Sequence, residues 1–234
     1  MSIYQHIREE AFAANMLLPE LNLVIFTFGN VSAADHDMGV FAIKPSGVPY
    51  EQLTPGHMVI VDFDGNVVEG ELRPSSDTQT HAVLYKHWPE LGGISHTHST
   101  YGTAWAQAQQ DIPIMGTTHA DHTTHDIPCA PPMPDGQIQG DYEYETGFQI
   151  MNCFESRGID HREVEMVLIG NHAPFTWGKN AQKAVYHSAV LEEMARMAYL
   201  SLQINPEAPR LKSALIKKHY ERKHGAGAYY GQES

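Results

Sequence analysis

Apolar side chains recur at Ile3, Ile7, Ala11, Ala14 and Leu17, close to the helical repeat, and predict an amphipathic opening helix over residues 2–17. The runs Leu23 to Thr27 and Val40 to Ile43 read as strands. Met58 to Phe63 and Val67 to Glu69 flank Asp64-Gly65-Asn66, a hairpin signal because those residues accept the backbone angles of a tight turn. Helical spacing returns at about 79–88 and 99–109, followed by a Pro-rich segment from Pro128 to Pro134. A helix over 142–157 stops at Gly158, as a C-terminal glycine cap would stop it. Strands near 165–170 and 173–177 precede the longest predicted helix, 180–202. Pro206 and Pro209 bracket a break before a last helix at about 210–224, and Gly225 to Gly231 cannot sustain another.

Hairpin and mixed spacing, in place of strict strand–helix alternation, predict a mixed or largely antiparallel sheet covered by helices on both faces. No internal repeat or linker divides the chain, so one domain over residues 1–234 is expected. No run of eighteen apolar residues is present, which argues against a membrane span. The first residues lack a basic segment followed by an apolar run, which argues against a signal peptide. Cys129 and Cys153 have neither zinc-ribbon nor redox spacing, so a reduced, cytoplasmic setting with structural thiols is expected. The formal charge of −13 argues against a nucleic-acid partner and means that an anionic substrate needs local donors.

Chemistry concentrates in a few segments. With Gly93 to His98 as a strand, His96 and His98 project to the same face, where two neutral imidazoles can share a divalent metal. His172 follows the buried run Met166 to Gly170, where a loop presents a ligand, and Asp77 precedes a helix, where it is either an N-cap or a fourth ligand. Phe28 to Ser32, Lys44 to Gly47 and Ser75-Ser76 are rich in small donors. Together they suggest a phosphorylated small molecule, with Lys44 as the cation the acidic chain otherwise lacks. The sequence Gly225-Ala226-Gly227-Ala228-Tyr229 lacks the strand–turn–helix setting of a dinucleotide fingerprint, so redox epimerisation is not expected.

Seven motifs occur in order: Gly29-Asn30-Val31-Ser32, Lys44-Pro45-Ser46-Gly47, Pro74 to Thr78, His96 to Ser99, Gly116 to Asp121, Asn171 to Lys179, and Ala228 to Gln232. They resemble the L-ribulose-5-phosphate 4-epimerase family within the class II, metal-dependent aldolase superfamily, and span the chain from about Asn15 to Gln232. The resemblance implies a three-layer α/β/α fold around a mostly antiparallel sheet. It implies one zinc ion per subunit on His96, His98 and His172, with Asp77 near or on the metal. Gly29, Asn30, Lys44, Ser46, Gly47, Ser75 and Ser76 would surround the substrate. Asp121 would be one acid/base group and Tyr230, from a neighbouring subunit of a homotetramer, the other. His219 and Arg222 match positions that help to build that shared site.

The implied chemistry converts L-ribulose 5-phosphate to D-xylulose 5-phosphate. The C4 proton of a 2-ketose is not acidic, so direct deprotonation gains no resonance; cleaving C3–C4 leaves an enediolate, and the aldehyde fragment turns over before it is attacked again. Two proton-transfer groups are then needed, one for each face of the aldehyde. The alternatives are a sugar-phosphate aldolase of the same superfamily, which would release the fragments, and a non-catalytic, adducin-like interaction module. His122-Thr123-Thr124-His125 departs from the aromatic-rich pattern of similar sequences beside Asp121, which bears on substrate preference. With His119, this stretch also offers three histidines at a spacing of three as a second metal candidate.

Overall fold

In a computed structural model, which describes residues 2–225 and 228, eight strands form one sheet in the order β4-β3-β2-β1-β5-β8-β7-β6. The strands are β1 (Asn30–Asp35), β2 (Val40–Ile43), β3 (Val59–Asp62), β4 (Val67–Glu69), β5 (Gly93–His96), β6 (Cys129–Ala130), β7 (Met166–Ile169) and β8 (Pro174–Gly178). Only β6 and β7 run parallel; the other neighbours are antiparallel. The expected mostly antiparallel sheet with helices on both faces is what the chain forms.

The period-two alternation of β1 sorts the two faces. Val31 and Ala33 point into a core shared with Ile7, Ala11, Ala14 and Leu18 of helix α1 (Gln5–Glu20) and with Ala181 and Val185 of helix α7 (Ala181–Ile204). Ser32 points the other way and hydrogen-bonds His81 and Tyr85 of helix α2 (Thr78–His87). Phe41, Ile43, Val59, Val61, Phe175 and Trp177 fill that second core together with Ile150 and Phe154 of helix α6 (Tyr142–Arg157). Helix α3 (Thr100–Gln107) packs on α7; the short helices α4 (Thr117–Ala120) and α5 (Asp135–Ile138) lie in the connections, and α8 (Ser213–His224) packs against α4. Cys129 and Cys153 are buried free thiols in the second core. Among the described residues, no helix is long and apolar enough to cross a membrane.

Three sequence expectations change. Leu23 to Thr27 is not a strand: Leu23 is buried, but Ile25 and Phe26 are 62% and 80% exposed and Phe26 has a φ of 53°, outside any strand geometry. The strand begins at Asn30 instead, after Gly29 turns the chain. β5 ends at His96, so His98 lies beyond the strand. β6 is a two-residue parallel strand within the Pro-rich segment, too short for a periodicity to show.

The β5 strand starts where α7 begins. A methyl group on Gly93 would lie 2.4 Å from both the Cα and the nitrogen of Ala181, backbone atoms that cannot yield cheaply. Gly93→Ala should therefore destabilise the protein by about 1–3 kcal/mol, the usual cost of overpacking. Chemical denaturation measures it, and an unchanged midpoint would show that α7 can be moved off β5 without cost.

Candidate metal and substrate site

The histidines meet because two chain turns converge at the end of β5. Antiparallel pairing sets His96 opposite Asn30 of β1 on one side and Phe175 of β8 on the other. His172 sits in the β7–β8 connection, where Asn171 takes a φ of 64° and His172 N–H closes the turn on Ile169 O. The ligand nitrogens of His96, His98 and His172 lie within 4.8 Å of one another.

His96 is oriented from behind. Its Nδ1–H donates to Pro174 O at 2.9 Å, and its ring stacks on Phe175 with centroids 4.1 Å apart, so Nε2 faces the cluster as an acceptor. His96 Nε2 and His98 Nε2 are 3.1 Å apart. Two nitrogens at about 2.0–2.1 Å from a tetrahedral zinc are roughly 3.3 Å apart, so this pair is already near ligand spacing. The Tyr142 hydroxyl lies 3.4 Å from His172 Nδ1. Burial lowers the pKa of all three imidazoles, that of His172 to about 4, and so keeps them in the neutral form that binds metal. The donor set fits a divalent ion with an open coordination position.

Asp77 stands at the N-cap position of α2 but its side chain makes no capping bond there, and it is not part of the converging histidine group. Its Oδ2 accepts from Asn30 Nδ2 at 2.6 Å and lies 3.5 Å from Ser75 Oγ. Burial opposes its charge, but the fields of His96 and His81 and the bond from Asn30 win, leaving the pKa below the ordinary carboxylate value.

The small-residue turns surround the same place. Ser75 N–H donates to Lys44 O and Ser46 N–H to Arg73 O, so the Lys44–Gly47 and Arg73–Asp77 segments are tied edge to edge. Gly47 has a φ of 70° and Gly29 one of 72°. At Gly29 a Cβ would also meet the Val24 side chain at 2.6 Å and His96 O at 2.9 Å, so glycine is required there. The Lys44 side chain is buried; its Nζ donates to Thr27 O at 2.9 Å and lies 4.8 Å from the centre of the Tyr50 ring. Burial lowers its pKa to about 8. Ser46, Gly47 and Ser76 are exposed.

Asp121 is held by side chains of α8. It follows α4, and its carboxylate accepts from His219 Nδ1 at 2.9 Å and from Arg222 Nε and Nη2 at 3.0 and 2.7 Å, with Lys223 Nζ at 3.7 Å. Burial raises its pKa, but these α8 groups together hold it below the ordinary value. Tyr230 lies outside the described residues.

His119, His122 and His125 do not form a metal-binding group among the described residues. His119 Nε2–H donates to His125 O, while His122 bonds Thr118 O and the Tyr186 hydroxyl. Sequence reasoning missed His81, fully buried and one turn along α2 from Asp77; the four-residue spacing would have placed both on one helix face.

The sequence model of the family described as Class II Aldolase and Adducin N-terminal domain matches residues 9–199. Among solved structures, an L-fuculose 1-phosphate aldolase is 24% identical with a TM-score of 0.77, over 95% of this chain and 97% of that one. The L-fuculose 1-phosphate aldolase from Glaciozyma antarctica PI12 is 17% identical with a TM-score of 0.77, covering 96% and 84%. The sugar-phosphate aldolase from Thermotoga maritima is 14% identical with a TM-score of 0.66, covering 91% and 100%. At these identities the likeness is one of fold.

Lys44 generates a pH prediction. Its lowered pKa means that the ammonium is present below about pH 8 and is lost above it. Above neutral pH a phosphate ester is already dianionic, so affinity for a phosphorylated ketose should fall as pH rises through about 8. Lys44→Met should bind more weakly and show no such fall. Calorimetric titrations at several pH values decide it; a wild-type affinity that is flat across that range would remove Lys44 from the anion's surroundings.

Proposed function

The chain belongs to the Class II Aldolase and Adducin N-terminal domain family, and on that premise we propose that it is a metal-dependent enzyme acting on a sugar phosphate. The observation that carries the reading is the convergence of three neutral imidazoles beside two linked, donor-rich turns. Within that class we favour 4-epimerisation between L-ribulose 5-phosphate and D-xylulose 5-phosphate, by cleavage and re-formation of C3–C4. Asp77 and the Tyr229-Tyr230 tail support that choice.

His96, His98 and His172 would hold the ion, zinc in the simplest case, with Asp77 beside or on it. Once bound, the ion supplies Lewis-acid stabilisation of the charge that develops on the ketone-derived fragment. The protein does the rest. Amides and hydroxyls of Gly29, Asn30, Ser46, Gly47, Ser75 and Ser76, with the Lys44 ammonium, would anchor the phosphate, so that the aldehyde fragment turns without leaving. Asp121 would move a proton on one face of that fragment and Tyr230 on the other. The Asp121 carboxylate is held by His219 and Arg222 of α8, the helix that precedes the Tyr230 tail in sequence, and we read the site as completed across a subunit boundary, with Tyr230 coming from a neighbouring chain of a homotetramer.

A second reading is a sugar-phosphate aldolase that releases its fragments. The solved structures named as L-fuculose 1-phosphate aldolases favour it, and it uses the same metal and phosphate groups. One experiment separates the two: D-xylulose 5-phosphate incubated with the zinc-loaded protein and followed by NMR. Epimerisation yields L-ribulose 5-phosphate with no accumulating aldehyde. Release of glycolaldehyde phosphate establishes the aldolase, and an unchanged spectrum contradicts both.

A further inference from the structure

His81 carries a polar atom that neither the metal group nor the phosphate turns use. It is fully buried on α2, and its Nδ1 lies 2.7 Å from Ser32 Oγ, which in turn lies 2.7 Å from the Tyr85 hydroxyl. The direction of these bonds can be assigned. Burial drives the Tyr85 phenol pKa far up, so Tyr85 keeps its proton and gives it to Ser32, 2.7 Å away. Ser32 then has one proton left, which goes to His81 Nδ1. The reverse direction would leave the Tyr85 proton buried without an acceptor. Burial keeps His81 neutral, with a pKa of about 3, so its own proton sits on Nε2. That Nε2–H is buried and has no partner among the described residues.

An orphaned buried donor is costly, so its surroundings matter. Asp77 lies one turn back on the same helix face, and residues four apart have Cβ atoms about 5–6 Å apart. Burial lowers the His81 pKa, and the Asp77 carboxylate is the neighbouring charge that opposes this. In this structure the Asp77 carboxylate is turned to Asn30, with Ser75 beside it. Those two side chains belong to the proposed substrate site, and a bound sugar phosphate competes for their donors. Asp77 would then face the same loss that His81 now shows, from the acceptor side.

We propose that His81 is a positioning residue that takes over the Asp77 carboxylate when a sugar phosphate occupies Asn30 and Ser75. A rotamer change at Asp77 exchanges one set of donors for another. The Tyr85–Ser32–His81 chain holds the receiving N–H in a fixed tautomer, so the carboxylate has a defined second position. Asp77 thereby keeps its charge and its place beside the metal group throughout binding. The proposal rests on the functional reading above.

The test uses zinc-loaded protein and 2-phosphoglycolate, which carries a phosphate and a chelating carboxylate. Nitrogen-15 NMR of the histidine side chains should show His81 as the Nε2–H tautomer, with that proton moving downfield when 2-phosphoglycolate saturates the site. Calorimetry should show His81→Phe binding the compound about tenfold or more weakly, the worth of a hydrogen bond to a charged group, with zinc content unchanged. His81→Gln keeps an amide donor and should recover most of the affinity. A saturated complex with the His81 proton unmoved, a proton on Nδ1, or His81→Phe binding as tightly as wild type overturns the proposal alone. Wild-type protein that binds no 2-phosphoglycolate overturns the functional reading, and this inference with it.

Discussion

The antiparallel register that places His96 between Asn30 and Phe175 is the constraint on which the rest depends. It fixes which face of β5 carries the imidazole, and a slip of one residue would turn His96 toward α7 and Ser95 toward α2. Ser95 is now bonded to Ser188 of α7, so the serine and the histidine each have a partner only in this register. The β8 strand contributes twice, through the Pro174 carbonyl that sets the His96 tautomer and the Phe175 ring beneath it. The turn before β8 delivers His172. The ends of two interior strands thus hold His96 and its orienting groups, the turn that joins β7 to β8 carries His172, and His98 lies on the segment that follows β5.

Electrostatics divides the site. The chain carries a formal charge of −13, yet the region proposed for the anion holds a buried lysine, small-residue turns and neutral histidines. Lys44 is kept near the point of losing its proton by burial, a position in which a nearby anion has the most to gain from its charge. Asp121 has the opposite setting: Arg222, His219 and Lys223 surround a carboxylate that stays ionised. A carboxylate held this way is fixed in place and weakly basic, a setting that any proton transfer proposed for it must overcome.

Much of this was legible in the sequence, for physical reasons that differ by residue. α6 begins at Tyr142 and ends at Arg157 as predicted, because Asp141 caps one end and Gly158 the other in a left-handed conformation. The three histidines were legible from strand-end placement, although His98 lies past the strand. Leu23 to Thr27 misled because a loop with one buried leucine and an outward Ile25 and Phe26 has the composition of a strand without its alternation. Spacing alone grouped His119, His122 and His125, but backbone carbonyls claim His119 and His122. The Ser32–His81–Tyr85 chain joins residues 49 and 53 positions apart, a contact that no local pattern announces.

The central claim is that His96, His98 and His172 form one metal centre. Diffraction data collected on both sides of the zinc absorption edge, from crystals of zinc-loaded protein, address it directly. The account predicts one anomalous peak per chain within about 2.0–2.1 Å of a ring nitrogen of each of these histidines. A peak among His119, His122 and His125 in place of it, or density bridging the three histidines with no anomalous signal, would contradict it.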